Sequence, residues 1–230
     1  MKLYFQILIL FVSASLFAQV EKYPEIMNQD WPNLKKYREA NKKIDSAPVA
    51  VFMGNSITEG WANMHPEFFS SNNYVGRGIS GQTTPQMLIR FQQDVVDLNP
   101  QVVVILAGTN DIAGNTGFST VKMITDNIKS MAEIADANDI KVVLSSILPV
   151  YDYPWRTGLQ PVPKIAEINH WMKDFAKKHG YVYLDYFSAM KDERQGLPEN
   201  LSKDGVHPTS EGYDVMEPLA KKAIQKALNN

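Results

Sequence analysis

The feature of this sequence that most constrains its fold is an alternation. Apolar runs recur at "PVAVFMG" (48–54), "YVGRGI" (74–79), "QVVVILAG" (101–108), "KVVLSSILP" (141–149) and "YVYLDY" (181–186). Between them lie stretches with helical spacing of apolar residues near 85–98, 119–137 and 163–179, and a last one covers about 209–228. Three of the runs are nearly continuous Val, Ile and Leu, as a strand buried on both faces requires. Strand and helix in turn predict a mostly parallel five-stranded sheet with helices on both sides, in one three-layer α/β/α domain. No repeat, linker or low-complexity tract divides the chain, and 230 residues suffice for a large core.

The start of the chain follows different rules. "MKLYFQILILFVSASLFAQ" has a basic residue at Lys2, an apolar run from Leu3 to Val12 and small residues ending at Ala18. That layout predicts a secretory signal peptide over 1–18, cleaved after Ala18, and so an exported protein of the periplasm or the extracellular space. The apolar run is too short for a membrane span. No cysteine follows it to carry a lipid, so no stable anchor is expected once the signal is removed. Residues 19–46 read as a polar, helical preamble to the domain at 47–230. Within "DWPNLKKYREANKKI", Asp30 is expected to cap a short helix, Pro32 to sit in its first turn, and Leu34, Tyr37 and Ile44 to form a partial apolar face. A net charge of −2 without a basic run gives no footprint for nucleic acid. The lack of cysteine excludes disulfides, thiolate zinc sites and a cysteine nucleophile.

In parallel sheets, ligands bind beyond the carboxyl ends of the strands. The segments expected there are "FMGNSITEGW" with Ser56, "GISGQTT", "GTNDIAGN", "PVYDYPWR" and, before the last helix, "DGVHPT". A serine hydroxyl attacks only when a neighbouring base takes its proton. Of the four histidines, His170 and His179 fall in or at the end of a helical pattern, which suggests surface or packing roles. His65 precedes Pro66 in a loop and reads as solvated. His207 differs, because Asp204 lies three residues before it across Gly205. In a tight turn the carboxylate reaches Nδ1–H, fixes the tautomer and leaves Nε2 free as a base. An oxyanion needs donors aimed in advance. The N–H of Ser56, the backbone of Gly81 and the side-chain amide of Asn110 are candidates. Each residue alone has an ordinary explanation, as a helix N-cap (Ser56), a turn glycine or an Asx turn. Their order along one sheet edge sets them apart.

Four ordered blocks, "GNSITEG", "GISGQTT", "GTND" and "DGVHP", resemble those of the SGNH hydrolases, the GDSL esterase/lipase family, and the likeness runs over about 47–220. The resemblance implies an SGNH/flavodoxin-like hydrolase fold and a serine esterase that forms an acyl-enzyme without metal or cofactor. It carries the nucleophile to Ser56, the oxyanion donors to Ser56, Gly81 and Asn110, and the rest of the triad to Asp204 and His207. Two positions depart from the pattern: Asn55 replaces the usual aspartate of the first block, and Gln82 stands where aspartate often follows the block-two glycine. The G-x-S-x-G elbow of other serine hydrolases is missing at Ser56. The preamble resembles those of exported, small acetylhydrolase-like members, which implies a small-molecule or glycan ester substrate with a short acyl group. Trp61, Trp155 and Arg156 are candidates to line the substrate pocket. The alternatives are a lysophospholipase or thioesterase of the same family and a non-catalytic carbohydrate-binding relative. A metal-dependent hydrolase would need a histidine–carboxylate cluster that these scattered histidines do not suggest.

Overall fold

A computed structural model describes residues 29–230. The expected signal peptide (1–18) and the first part of the expected preamble lie outside the described residues. Gln29 to Trp31 belong to an N-terminal unit, and Pro32–Asn230 form one compact unit.

Five strands, β1 (Ala50–Gly54), β2 (Tyr74–Gly78), β3 (Val102–Ile105), β4 (Lys141–Ser145) and β5 (Val182–Leu184), pair in the order β2-β1-β3-β4-β5. Every pairing is parallel, with Ala50 opposite both Tyr74 and Val102. β1 and β3 are buried along their whole length, which is why they read as unbroken apolar runs. Alternate residues face opposite layers. Val51, Met53, Val103 and Ile105 pack with Met87, Phe91, Ile128 and Met172 on one side, and Phe52, Val102 and Val104 with Ile57, Tyr213 and Met216 on the other. The chain leaves β1 towards β2 on one side and returns to β3 on the other. The crevice of such a sheet opens where that direction reverses, between β1 and β3.

The helices between strands start where the sequence supplies caps. α4 (Thr84–Asp94) has a capping box between Thr83 and Gln86. In α6 (Val121–Asp136) the Thr120 hydroxyl accepts the Met123 N–H, and α7 (Pro161–His179) opens on proline. α9 (Ser210–Leu228) is capped by Thr209. Short helices α2 (Ser56–Met64), α3 (Pro66–Ser70), α5 (Thr109–Ile112) and α8 (Tyr186–Met190) follow strand ends or loops.

The preamble differs from its expected form. Its helix, α1, covers only Arg38–Asn41 and starts from Tyr37, not Asp30. Asn33 adopts φ 56°, a left-handed conformation that stops any helix started at Pro32. The carbonyls of Pro32 and Leu34 are taken by side chains, at 2.6 Å from Gln82 Nε2 and 2.7 Å from Gln93 Nε2. Tyr37 donates its hydroxyl to the Gly78 carbonyl. Asn41 donates to Gln93 O and Asp94 Oδ1 and accepts from Arg77 Nε, all within 3.0 Å. These bonds fasten the segment along edge strand β2 and helix α4.

Candidate active site

β1 ends at Gly54, and Asn55 turns the chain into α2. Asn55, rather than Ser56, is the N-cap: its Oδ1 accepts the Ile57 N–H at 3.0 Å. Ser56 is therefore the first residue of the helix, the correction being one position. The same bond explains why asparagine serves here where the family pattern has aspartate, since a single carbonyl oxygen does the capping. Ser56 Oγ lies 2.9 Å from His207 Nε2, and His207 Nδ1 lies 2.6 Å from Asp204 Oδ2. The other carboxylate oxygen, Oδ1, accepts the N–H groups of Val206 and His207 at 2.9 and 2.8 Å and the Ser202 hydroxyl at 3.1 Å. Partial burial pushes the Asp204 carboxyl up, but these hydrogen bonds, the one from the imidazole foremost, outweigh it and hold it at about 2. The spacing predicted from "DGVH" thus forms a turn that wraps the carboxylate in its own backbone.

The end of β2 reaches the same point because Gly78 has no side chain: a Cβ there would meet Glu59 N at 2.2 Å and Asn55 O at 2.5 Å. Just beyond it, Ser80 donates its N–H and its hydroxyl to Glu59 Oε2 at 2.7 and 2.6 Å. Glu59 stands one turn along α2 from Ser56, so this contact ties the Gly81 loop to the serine's helix. Gly81 sits at φ 77°, and its carbonyl accepts from Asn115 Nδ2 at 3.3 Å. From the other side α5 presents Asn110, 3% exposed, whose Nδ2 donates to Gln82 O at 2.9 Å. That bond uses one of two amide hydrogens and orients the other. Beside it, Asp111 accepts the Thr84 N–H and hydroxyl. Burial raises its carboxyl to about 6, the Thr84 hydrogen bonds offsetting only part of that rise.

A buried ion pair lies behind the site. Arg90 and Asp94, both fully buried, pair at 3.0 Å, and Arg90 also reaches the Gly54 carbonyl at 2.8 Å and Gln82 Oε1 at 2.6 Å. Gln82 can accept from Arg90 and donate to Pro32 at once, which a carboxylate at that position cannot. The only sequence sign of Arg90 is a charge on the apolar side of α4, a weak one.

The substrate-pocket candidates separate. Trp155 is 46% exposed with its ring 6.0 Å from that of His207, at the site's edge. Arg156 is an exposed residue whose Nη1 is held by the carbonyls of Ala113 and Gly114 at 2.6 and 2.7 Å. Trp61 is corrected: it is 1% exposed and stacks between Phe68 and Tyr213, with centroids 4.9 and 5.6 Å away. It belongs to the core because α2 turns that face to the sheet. His65 is also not a solvated loop residue. Its Nδ1 lies 2.7 Å from Glu217 Oε1 and its Nε2 2.9 Å from Ser210 Oγ. His170 is exposed beside Asp174, and His179 packs on Phe175 and Tyr181, as expected. Ser56 and His207 open on a cleft of about 630 Å³ whose other walls include Asn33, Lys36, Glu59, Asn63, Ile79 and Ser80.

Residues 52–215 match the GDSL-like lipase/acylhydrolase family. The chain belongs to that family and is a hydrolase of ester bonds. A solved GDSL-like lipase from Bacteroides thetaiotaomicron is 47% identical, with a TM-score of 0.82 over 86% of this chain and 100% of that one. The arylesterase of Vibrio mimicus is 26% identical over 75% of this chain and 82% of that protein. A lipoprotein of Bacillus subtilis, YqeF, is 31% identical over 40% of each chain, so the match spans less than half of that relative. An acetylxylan esterase from Geobacillus stearothermophilus shares the fold, with a TM-score of 0.64 at 16% identity over 78% of this chain and 94% of that one.

Proposed function

We propose that the protein is a serine esterase that removes short acyl groups, acetyl first among them, from small-molecule or glycan esters through a Ser56–His207–Asp204 acyl-enzyme mechanism. The observation that carries this reading is the unbroken line from Ser56 Oγ through both ring nitrogens of His207 to Asp204, at 2.9 and 2.6 Å. Ser56 Oγ attacks the acyl carbonyl while Nε2 takes its proton, and Asp204 stabilises the imidazolium that forms. The carbonyl oxygen becomes an oxyanion held by the N–H groups of Ser56 and Gly81 and by the Asn110 amide. Neither of those two N–H groups has an internal hydrogen bond among the described residues. Collapse of the intermediate breaks the ester C–O bond, and the alcohol leaves with the proton from Nε2. Water, deprotonated by the same nitrogen, then attacks the acyl-serine and restores Ser56.

Two observations support a short acyl group and a polar substrate over a lysophospholipid. The cleft walls are mostly polar, and the exposed Trp155 beside His207 offers a face on which a sugar ring can stack. Export fits the signal-peptide layout of the first 18 residues. Among the described residues no helix is long and apolar enough to cross a membrane. The test is labelling with a serine-directed phosphonate. Wild-type protein should lose p-nitrophenyl acetate hydrolysis and gain one adduct, and Ser56→Ala should do neither. Labelling elsewhere, or a Ser56→Ala protein that keeps a tenth of the rate, would overturn the mechanism.

A further inference from the structure

The preamble lies outside the stretch that matches the family, yet two of its residues face the serine. Asn33 and Lys36 line the same cleft as Ser56 and His207. Their placement is built in. The left-handed turn at Asn33 and the bond from Gln82 to the Pro32 carbonyl set the direction of the chain there. Lys36 then reaches Glu59 Oε1 at 2.6 Å. Glu59 is the carboxylate that also holds the Ser80 N–H and hydroxyl.

We propose that Asn33 and Lys36, with Glu59 and Asn63, form the subsite for the leaving alcohol, and that this alcohol is a neutral polyol such as a sugar unit. The inference rests on the serine-esterase reading and adds the substrate class and the residues that select it.

Three features support the assignment. First, a cleft of about 630 Å³ is far larger than a short acyl group, so most of it is available to the other half of the ester. Second, Lys36 has one of three ammonium donors on Glu59, and Glu59 has accepting capacity beyond its three present bonds. Two carboxamides stand beside them. Donors and acceptors alternating along one wall match hydroxyl groups, which are both at once. Third, the Lys36 charge is balanced by Glu59 at contact distance, so the wall offers an anionic head group no unpaired cation. Of the residues that line the cleft, Ile79 alone carries a large apolar side chain. A site that hydrogen-bonds substrate hydroxyls discriminates strongly against analogues that lack them.

The experiment compares kcat/KM on acetylated xylooligosaccharides, p-nitrophenyl acetate and lysophosphatidylcholine for wild type, Lys36→Met and Asn33→Gly. Methionine keeps an unbranched stem at position 36, and glycine accepts the left-handed backbone at position 33 without strain. Thermal melts establish that each variant is folded. The expected result is a wild-type preference for the oligosaccharide. The ratio of oligosaccharide to p-nitrophenyl acetate kcat/KM should fall about tenfold or more in Lys36→Met, through the loss of a charge-assisted hydrogen bond, and by a smaller factor in Asn33→Gly. A ratio that stays within twofold in both folded variants would overturn the proposal. So would a parallel fall on all three esters, which would make Lys36 a support for α2, or a wild-type preference for lysophosphatidylcholine. The serine-esterase reading is judged separately: it stands if wild type turns over p-nitrophenyl acetate and Ser56→Ala does not, whatever Lys36 does.

Discussion

Two serine–histidine–carboxylate lines run through this protein, and their distances are nearly the same. In one, Ser56 Oγ, His207 and Asp204 are linked at 2.9 and 2.6 Å. In the other, Ser210 Oγ, His65 and Glu217 are linked at 2.9 and 2.7 Å. Both serines are the first residue of a helix. Distances alone do not tell them apart, but their surroundings do. Ser56 follows a central strand at the point where the sheet reverses direction, with Gly81 and Asn110 brought to it by the next two strand ends. Ser210 and Glu217 lie seven residues apart on one face of α9, and His65, between α2 and α3, bridges them. The first line ends in an open cleft and a histidine side chain 40% exposed, while in the second the imidazole is only 14% exposed. We read the second as a clamp between helices. A triad is made by where its carbonyl-binding donors are, not by its hydrogen bonds.

The largest effect that tests this contrast comes from the two serines. Ser56→Ala should lower kcat for p-nitrophenyl acetate by about 10⁴ to 10⁶. Ser210→Ala should leave it within about twofold, as a surface change away from the chemistry does. Steady-state rates on folded proteins decide it, and a large loss in the Ser210→Ala protein would collapse the distinction. Next in size is the carboxylate. Asp204→Asn should cost about 10⁴ in kcat, because an amide stabilises the wrong tautomer and leaves the imidazolium without a counter-charge.

Asn110→Ala removes one donor and should lower kcat by about 10² to 10³, with KM changing much less. An effect confined to KM would assign Asn110 to positioning. Its neighbour Asp111 gives a stability test with a sign opposite to that of Asp204. Burial raises the Asp111 carboxyl to about 6, so between its ordinary value and 6 the folded state holds more protons than the unfolded. Its contribution to stability therefore declines as pH rises from about 4 to 6. Asp204, held at about 2, contributes above the ordinary carboxylate value and loses that contribution as pH falls from about 4 to 2. Melting curves of Asp111→Asn against wild type should converge towards the acid end of the first window and diverge above it. Parallel curves would contradict the assignment.

The parts of this contrast that were legible in the sequence are those set by local or ordered pattern. β1, β3 and β4 show as Val/Ile/Leu runs because both of their faces are buried, and Asp204 and His207 show because a single turn joins them. Gly81 and Asn110 show because strand order alone carries their loops to one edge. A helix capped near Ser56 is legible as one reading of the serine, but the length of α2 and the burial of Trp61 are not: five residues beyond Ser56 on that helix, the ring points to the sheet. His65 reads as solvated in the sequence because its partners lie 145 and 152 residues away, a pairing no local pattern displays. Lys36 reaches Glu59 across 23 residues for the same reason. The left-handed Asn33, which keeps a helix from starting at Pro32, has its flanking carbonyls held by side chains of α4 and the block-two loop, a pairing that propensity within the preamble does not display.

The smallest predicted effect tests the clamp. His65 is held at both ring nitrogens, and one turn further along α9 the Tyr213 hydroxyl donates to the Ile57 carbonyl at 2.8 Å, one residue from Ser56. Together these contacts set α9, which begins three residues after His207, against the helix that begins with Ser56. Each hydrogen bond is worth about 1 kcal/mol net. For a chain of this size 1 kcal/mol shifts Tm by about 2–4 °C. His65→Gln keeps one donor and one acceptor but not the span between Ser210 and Glu217, so it should lower Tm by a few degrees. Tyr213→Phe removes a single bond and leaves the stack on Trp61, so it should lower Tm by less than His65→Gln. In both, KM should hold, and kcat should fall no more than a few fold, since the triad's own hydrogen bonds still join serine to histidine. If His65→Gln instead lost activity by a factor comparable with Asn110→Ala at unchanged Tm, the second line would belong to the chemistry and the two halves of the comparison would merge.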